Sequence, residues 1–251
     1  MGHSEAGYVL FISDMHLDSS RPAITRLFID YLKAHAPQAD ALYLLGDVFE
    51  VWLGDKLSLR EHHAVIAELR ALSDGGLPIY VMRGNRDFLY GKRFESATGA
   101  VLLDDPTVID LFGTPTLLSH GDILCTDDIN YQKYRRIISN KAVQWLAVYG
   151  IPDSYKQRIA NKMRAASKRA QSQKQSDIMD VNEAAVRSWF EQYQVPQMIH
   201  GHTHRPGKHE YTVNGQTSLR WVLGDWYHQG SVLKVSADGE FDLQQLALST
   251  G

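Results

Sequence analysis

A single cysteine, Cys125, stands in the 251-residue chain, which excludes an internal disulfide and a cysteine-built zinc site and fits a reducing compartment. Long apolar runs are missing as well. The stretch from Tyr8 to Ile12 is far too short for a signal h-region or a membrane span, and it runs directly into Ser13 and Asp14. Nor does one sign of charge dominate: 26 Lys and Arg face 29 Asp and Glu, a formal charge of -3. No molecule-wide basic field therefore exists to bind nucleic acid in bulk, and any anion site must be local. These absences lead us to expect a cytoplasmic chain with no nucleic-acid partner. Its length is enough to bury one sizeable core, so a single domain over residues 1–251 is expected.

What is present alternates. Short β-rich apolar runs at Tyr8 to Ile12, Ala41 to Leu45, Pro78 to Met82 and Thr116 to Ser119 have the composition of strands covered on both faces. Ile24, Leu27, Phe28, Tyr31 and Leu32 follow helical spacing, with Pro22 tolerated in the first turn. A second helix is expected from Arg60 to Leu72, stopping at Asp74-Gly75-Gly76. Asn214-Gly215 and Asp238-Gly239 each separate two β-rich runs, a hairpin signal, so the C-terminal part is expected to be antiparallel. From about Thr126 to Ser176 the alternation breaks, and two or three inserted helices are expected. Residues 130–175 hold eleven Lys or Arg and one acid, Asp153, so they carry +10 while the rest of the chain carries -13. A charge run of this kind is commonly a solvated face. With Ile137, Ile138, Val143, Trp145, Leu146, Val148, Tyr149 and Ile151 beside those cations, the contrast favours a cap that binds an anionic, partly apolar ligand or an anionic lipid surface.

Five short polar clusters each follow an apolar run: Asp14-Met15-His16, Gly46-Asp47, Gly84-Asn85-Arg86-Asp87, His120-Gly121-Asp122 and Gly201-His202-Thr203-His204. In extended chain, residues i and i+2 share a side, so Asp14 with His16, and His202 with His204, can offer donors to one cation. Asp47, after a glycine, can bridge two ions with its two oxygens; Asn85 offers a neutral oxygen and His120 another imidazole. One Asp-x-His pair means little, but seven mixed N and O donors, all just past apolar β runs, make a specific set. Such donors suit Mn, Fe or Zn better than Mg or Ca, and two Mn2+ ions per chain are expected. A pair of ions about 3.5–4 Å apart can acidify a shared water and clamp the oxygens of an in-line phosphoryl displacement. Arg86 can set its guanidinium against phosphate oxygens, or instead pair with Asp87. His200 extends the i, i+2 series but reads as a supporting or core histidine. His3, His35, His62, His63, His209 and His228 lack such partners and read as surface or structural residues. Trp52 and Asp55 stay open between pocket and core.

The ordered set Asp14-x-His16, Gly46-Asp47, Gly84-Asn85, His120 and Gly201-His202-x-His204 resembles the calcineurin-like metallophosphoesterases over nearly the whole chain. The resemblance implies an α/β fold, a four-layer αββα sandwich of two mixed β-sheets with an inserted helical cap, its dinuclear site at the strand ends. Longer strings, Gly46-Asp47-Val-Phe-Glu-Val-Trp-Leu-Gly54-Asp55, Gly84-Asn-Arg-Asp-Phe88, Gly91-Lys-Arg-Phe94, Leu124-Cys-Thr-Asp-Asp128 and Ile199-His-Gly-His-Thr-His-Arg-Pro206, are similar to the branch that cleaves the pyrophosphate of acylated UDP-sugars in lipid A synthesis. That likeness implies one Mn site from Asp14, His16, Asp47 and His204 and another from Asp47, Asn85, His120 and His202. It further implies substrate contacts from Asn85, Arg86, Asp128, Ser167, Gln171, Lys174 and His202, with Gln171 standing where a shorter Asn is common. Arg86 replaces the His usual in the wider superfamily, exchanging a proton donor for a permanent cation, which suits a leaving group that needs little protonation. Monomeric, peripheral attachment to the cytoplasmic side of the inner membrane is expected of this branch. Two rival readings share the donors: a phosphoesterase of soluble phosphodiesters or phosphoproteins, and a non-catalytic scaffold on the same fold.

Overall fold

The computed structural model describes residues 7–172 and 180–248. Strands β1 (Tyr8–Ile12), β2 (Ala41–Leu45) and β3 (Ile79–Met82) are almost wholly buried, which is why their sequences are runs rather than alternations. They pair in parallel, with β4 (Val101–Leu103) at the far edge. The helices between them cover one face. In α1 (Pro22–His35), Pro22 opens the first turn and Ile24, Phe28, Tyr31 and Leu32 are buried, the spacing read from sequence. A further helix, α2 (Asp55–Glu61), comes next, and the expected helix from Arg60 to Leu72 follows it as α3 (His63–Asp74), ending at Gly75 as read. They part at His62 (φ -105°, ψ 25°), whose buried ring lies 4.2 Å from that of Phe49 and stacks on Trp52. Burial pushes the His62 pKa down to about 4. Packing of one neutral imidazole thus overrides the continuous helical periodicity. Helix α4 (Lys92–Thr98) completes this layer.

A second sheet begins with the hairpin β5 (Thr107–Leu111) and β6 (Thr114–Ser119). A 3-10 turn at Asp122–Leu124 leads into α5 (Ile129–Ile138), α6 (Lys141–Trp145), a π-helical turn at Leu146–Gly150 and α7 (Asp153–Ser172). Two side chains start these helices: Asp128 accepts from the Tyr131 amide, and Asn140 from those of Ala142 and Val143. After α8 (Glu183–Tyr193) come β7 (Gln197–His200), β8 (Gly207–Val213), β9 (Gln216–Val222), β10 (Gln229–Ser236) and β11 (Phe241–Ala247). Asn214 and Gly215 both take positive φ in the β8–β9 turn, as a two-residue hairpin requires. The expectation of an antiparallel C-terminal part holds for β8–β9 and β10–β11 but not for β7, which is parallel to both β6 and β9.

The result is two mixed sheets, β11-β10-β1-β2-β3-β4 and β5-β6-β7-β9-β8. Three apolar layers hold them. Phe28, Leu69, Phe94 and Trp226 fill the space between α1, α3, α4 and the first sheet. Phe11, Leu45, Leu118, Ile199 and Leu233 lie between the sheets, and Leu117, Val186, Phe190 and Met198 lie between the second sheet and α8. This is the αββα sandwich. Among the described residues no helix is long and apolar enough to cross a membrane.

Phe28 is fully buried, its ring 5.7 Å from Trp226 and nearly perpendicular to it. Phe28→Ala is expected to cost about 3–5 kcal/mol in denaturant unfolding while leaving metal content unchanged. A loss below about 1 kcal/mol would show that this layer does not carry the core.

Candidate metal centre

The five polar clusters sit at the carboxyl ends of β1, β2, β3, β6 and β7, the rim where open α/β sheets place their ligands. Backbone bonds draw these loops together. Asp14 and His16 donate their amides to Gly46 O (3.1 Å) and Asp47 O (2.9 Å), and Gly201 donates to His120 O (2.9 Å). The Trp226 amide reaches Asp14 O (3.1 Å), and the His202 amide donates to Asp14 Oδ2 (2.8 Å), so both sheets meet at Asp14.

The extended geometry expected for the i, i+2 pairs is not what aligns them. Asp14, His16, Asp47, His202 and His204 all adopt positive φ, between 48° and 70°. For residues with a Cβ this left-handed backbone costs roughly 1–3 kcal/mol each, a strain that concentrates at functional sites. Glycines make room beside them. A Cβ at Gly84 would fall on the Asp47 carboxylate, and one at Gly201 on that of Asp14.

All seven sequence-derived donors come together. Asp14 Oδ1 lies 3.3 Å from His204 Nε2, and Asp47 presents Oδ2 to His16 Nε2 and Oδ1 to His120 Nε2, each at 3.8 Å. Asn85 Oδ1 lies 3.1 Å from His120 Nε2, and the His202 ring is 5.1 Å from that of His120. Two groups have donor atoms mutually within 4.8 Å: Asp14, His16 and His204, and Asp14, Asp47 and His120. Together with Arg86, Asp128, Tyr131 and Tyr227, several of them line a cavity of ≈ 200 Å³. Of the remaining expected contacts, Ser167 and Gln171 fall in the last turns of α7, where only the backbone is described. Lys174 lies outside the described residues.

Arg86 does not pair with Asp87. Its Nη1 is 3.6 Å from Glu50 Oε1, while its amide donates to Asp47 Oδ1 (2.8 Å). Asp87 instead accepts from the amides of Gly84 (2.8 Å), Val48 (2.7 Å), Phe49 and Asp47, and from the Tyr90 hydroxyl. His200 is fully buried, with Nε2 3.1 Å from Arg220 Nη1 and Nδ1 2.8 Å from Gly201 O, beneath the cavity rather than in it. Trp52 is buried in the core and also lines an apolar cavity beside Arg86, and Asp55 accepts from its indole and from the amides that open α4.

Sequence reading gave no role to Glu50, Asp225 and Tyr227, and it placed Asp122 in a polar cluster without its partners. Glu50 Oε2 is 3.4 Å from His16 Nδ1, Asp225 Oδ2 is 3.7 Å from His204 Nδ1, and the Tyr227 ring stacks on His16. Asp225 and Tyr227 carried the same signal as the five clusters, polar residues straight after an apolar run. Asp122 accepts from Tyr131 Oη and Arg135 Nε, both at 2.6 Å, and Arg135 also reaches Asp105 (3.2 Å), contacts that no local pattern reveals.

The donor set fits a transition metal. Asp14 Oδ1, both His16 nitrogens and His204 Nδ1 are buried and have no hydrogen-bond partner among the described residues. Orphaned lone pairs this deep are costly unless a cation takes them. His120 Nδ1, 2.9 Å from Leu45 O, donates there in the tautomer that leaves Nε2 free to ligate. Burial opposes a charged His120, but Asp47, Asp14 and Asp122 outweigh it and push its pKa up to about 9. His202 goes the other way, down to about 3, through burial and then the His120 charge. Burial also opposes the charged form of Asp14, yet His204, whose Nε2 faces Oδ1 at 3.3 Å, and the charges of His120 and His16 hold it well below the carboxylate range. The carboxylates thus demand positive charge, and without a cation a proton on His120 supplies it.

A sequence model of the family described as calcineurin-like phosphoesterase matches residues 7–206. The chain is 46% identical over 241 residues to a UDP-2,3-diacylglucosamine hydrolase of Vibrio parahaemolyticus, covering 96% of this chain and 99% of that protein. It is 49% identical over 229 residues to the enzyme of that name from Escherichia coli O6:H1, covering 91% and 95%. The one from Aeromonas salmonicida is also 49% identical, over 239 residues, covering 95% and 93%.

The His120 shift fixes the sign of a pH effect. Between neutrality and about 9 the metal-free protein holds a proton on His120 that ligation must expel. Titrating metal-free protein with Mn2+ near pH 7 is expected to release about one proton per chain from this group, and affinity to weaken up to about tenfold per pH unit as pH falls. Binding that releases no proton and ignores pH would rule His120 out as a ligand.

Proposed function

The chain belongs to the calcineurin-like phosphoesterase family, and on that premise we propose that it hydrolyses the pyrophosphate bond of UDP-2,3-diacylglucosamine, giving UMP and 2,3-diacylglucosamine 1-phosphate. The observation that carries this reading is the placement of Arg86. It lines both the donor-rich cavity and a second, apolar cavity of ≈ 150 Å³ walled by Val51, Leu53, Ile159 and Met163. A phosphoryl centre beside an apolar chamber matches an acylated sugar nucleotide, and the names of the relatives agree with it. A soluble phosphodiester would have no use for that chamber.

The proposed ligands are Asp14, His16, Asp47 and His204 for one Mn2+ and Asp47, Asn85, His120 and His202 for the other, with Asp47 between them. Support comes from its two oxygens, which face His16 and His120 respectively. When bound, the pair of ions polarises the phosphoryl group and acidifies a water. The chain does the rest. Arg86, held near Glu50, places a permanent cation where charge gathers in the transition state. Asn85, Arg86, Asp128 and His202 orient the substrate, with Ser167, Gln171 and Lys174 of the cap. Water oxygen bonds to the α-phosphorus as the bond from phosphorus to the bridging oxygen breaks. The electron pair leaves with the sugar 1-phosphate, whose low basicity removes the need for a protonating histidine. The cap exposes Ile137, Trp145, Leu146 and Tyr149 near Lys133 and Arg136, and we assign it peripheral contact with the anionic inner leaflet by a monomer.

Incubation with the acylated UDP-sugar, Mn2+ and oxygen-18 water is expected to put the label in UMP. Label confined to the lipid product would move attack to the other phosphorus, and absence of turnover would remove the reading. Arg86→Ala should keep metal content and lose a few orders of magnitude in kcat, whereas Asp47→Ala should lose metal at both positions. Equal metal loss in the two variants would make Arg86 structural.

A further inference from the structure

Asn85 and Arg86, adjacent in sequence, open onto different spaces. Both line the donor-rich cavity, but Arg86 also borders the apolar chamber, while Asn85 and Gly84 border a third cavity of ≈ 210 Å³, with Phe88 as the wall the last two spaces share. Its walls are mixed. Leu103 and Ile138 give apolar surface, Arg83 and Lys141 give positive charge, and Asp104, Asp105 and Asp122 give acceptors. Arg135 already covers Asp105 and Asp122. Arg83 spends Nη2 on Tyr90 O (2.9 Å), but its buried Nε has no hydrogen-bond partner among the described residues. Lys141 is exposed and makes no ion pair among them. The cavity therefore has cations available for a phosphate, acceptors for hydroxyl and imide N–H groups, and apolar walls for a flat ring. No acyl chain would gain from such a lining, and a bare anion would meet the carboxylate of Asp104.

We propose that this cavity seats the nucleotide half of the substrate, so that the pyrophosphate straddles Asn85 and Arg86 with the acylated sugar on one side and uridine on the other. The inference rests on the reaction assigned above. It makes Arg83 and Lys141 specificity residues for the nucleotide whose α-phosphorus is attacked, and Leu103 and Ile138 the walls that receive its base.

The two products separate the halves. With Mn2+-loaded protein, UMP and the acylated sugar 1-phosphate are each used as inhibitors of turnover. Direct UMP binding is followed by saturation-transfer NMR. Lys141→Glu changes an exposed residue, and Leu103→Trp fills the cavity from the edge strand β4. Both are expected to raise the inhibition constant for UMP roughly five- to tenfold and to leave that of the acylated product within about twofold. Equal weakening of both products, or of inorganic phosphate as much as UMP, would overturn the assignment, as would UMP that neither inhibits nor transfers saturation at millimolar concentration. Wild-type protein that binds UMP with the same response to both substitutions, yet never turns over the acylated UDP-sugar, would condemn the reaction and spare the cavity.

Discussion

Asp87 does not line the cavity, yet the centre depends on it. Its two oxygens collect amides from Gly84, Asp47, Val48 and Phe49 and the hydroxyl of Tyr90, tying the loop after β2 to the loop after β3. Burial and the neighbouring Asp47 charge push its pKa up to about 6, so those donors must work against desolvation to keep it ionised at neutral pH. Below that range a protonated Asp87 accepts less well, and the left-handed turn at Asp47 loses its support. The strain at five ligand positions is affordable only because such contacts over-determine each loop. Catalytic geometry here is a property of the loop network, with the donors at its inner edge.

Against that background the legibility of the centre has a physical explanation. The seven donors could be read because each follows a buried strand whose continuous apolar run is plain in sequence. Asp14 and His16 do not share a side through extended chain but through two left-handed residues, a conformation in which Asp and His are enriched but which apolar periodicity does not mark. Arg86 turned to Glu50 instead of Asp87 because Asp87 was already claimed by backbone amides. The helix expected from Arg60 to Leu72 is there and stops at Gly75, but it starts only at His63, since nothing in the periodicity shows His62 drawn into an aromatic nest of Phe49 and Trp52. Strands β4 and β5 went unread because they are short and half exposed, with little buried pattern to find. The sandwich itself was reached through resemblance; the runs alone gave only its inner strands.

The cap shows a subtler division. Its sign contrast, +10 against -13, was visible in sequence, but how the charge is spent was not. Arg164 pairs with Asp18 (2.6 Å) and with Glu61, and Arg135 with Asp122 and Asp105, so part of the excess binds the cap to an acidic body. These pairs are largely shielded from solvent, where removing one partner costs far more than at a surface. Asp18 lies two residues beyond His16, and Asp122 two beyond His120, so both clamps close on the ligand loops themselves.

That arrangement ties the position of the cap to the loops that carry the donors. A cap held only by apolar contact could slide, because dispersion has no direction; a cap held by guanidinium pairs at both flanks has a fixed register over the cavity. The basic run is therefore neither wholly a solvated face nor wholly free for a ligand, since part of it pairs with the body. Lys133, Arg136, Lys141, Arg158 and Lys162 remain exposed for solvent, lipid or nucleotide, while Arg135 and Arg164 face inward and set the lid. The inward pair spends part of the insert's charge on four carboxylates, Asp18, Glu61, Asp105 and Asp122, at the rim of the donor-rich cavity.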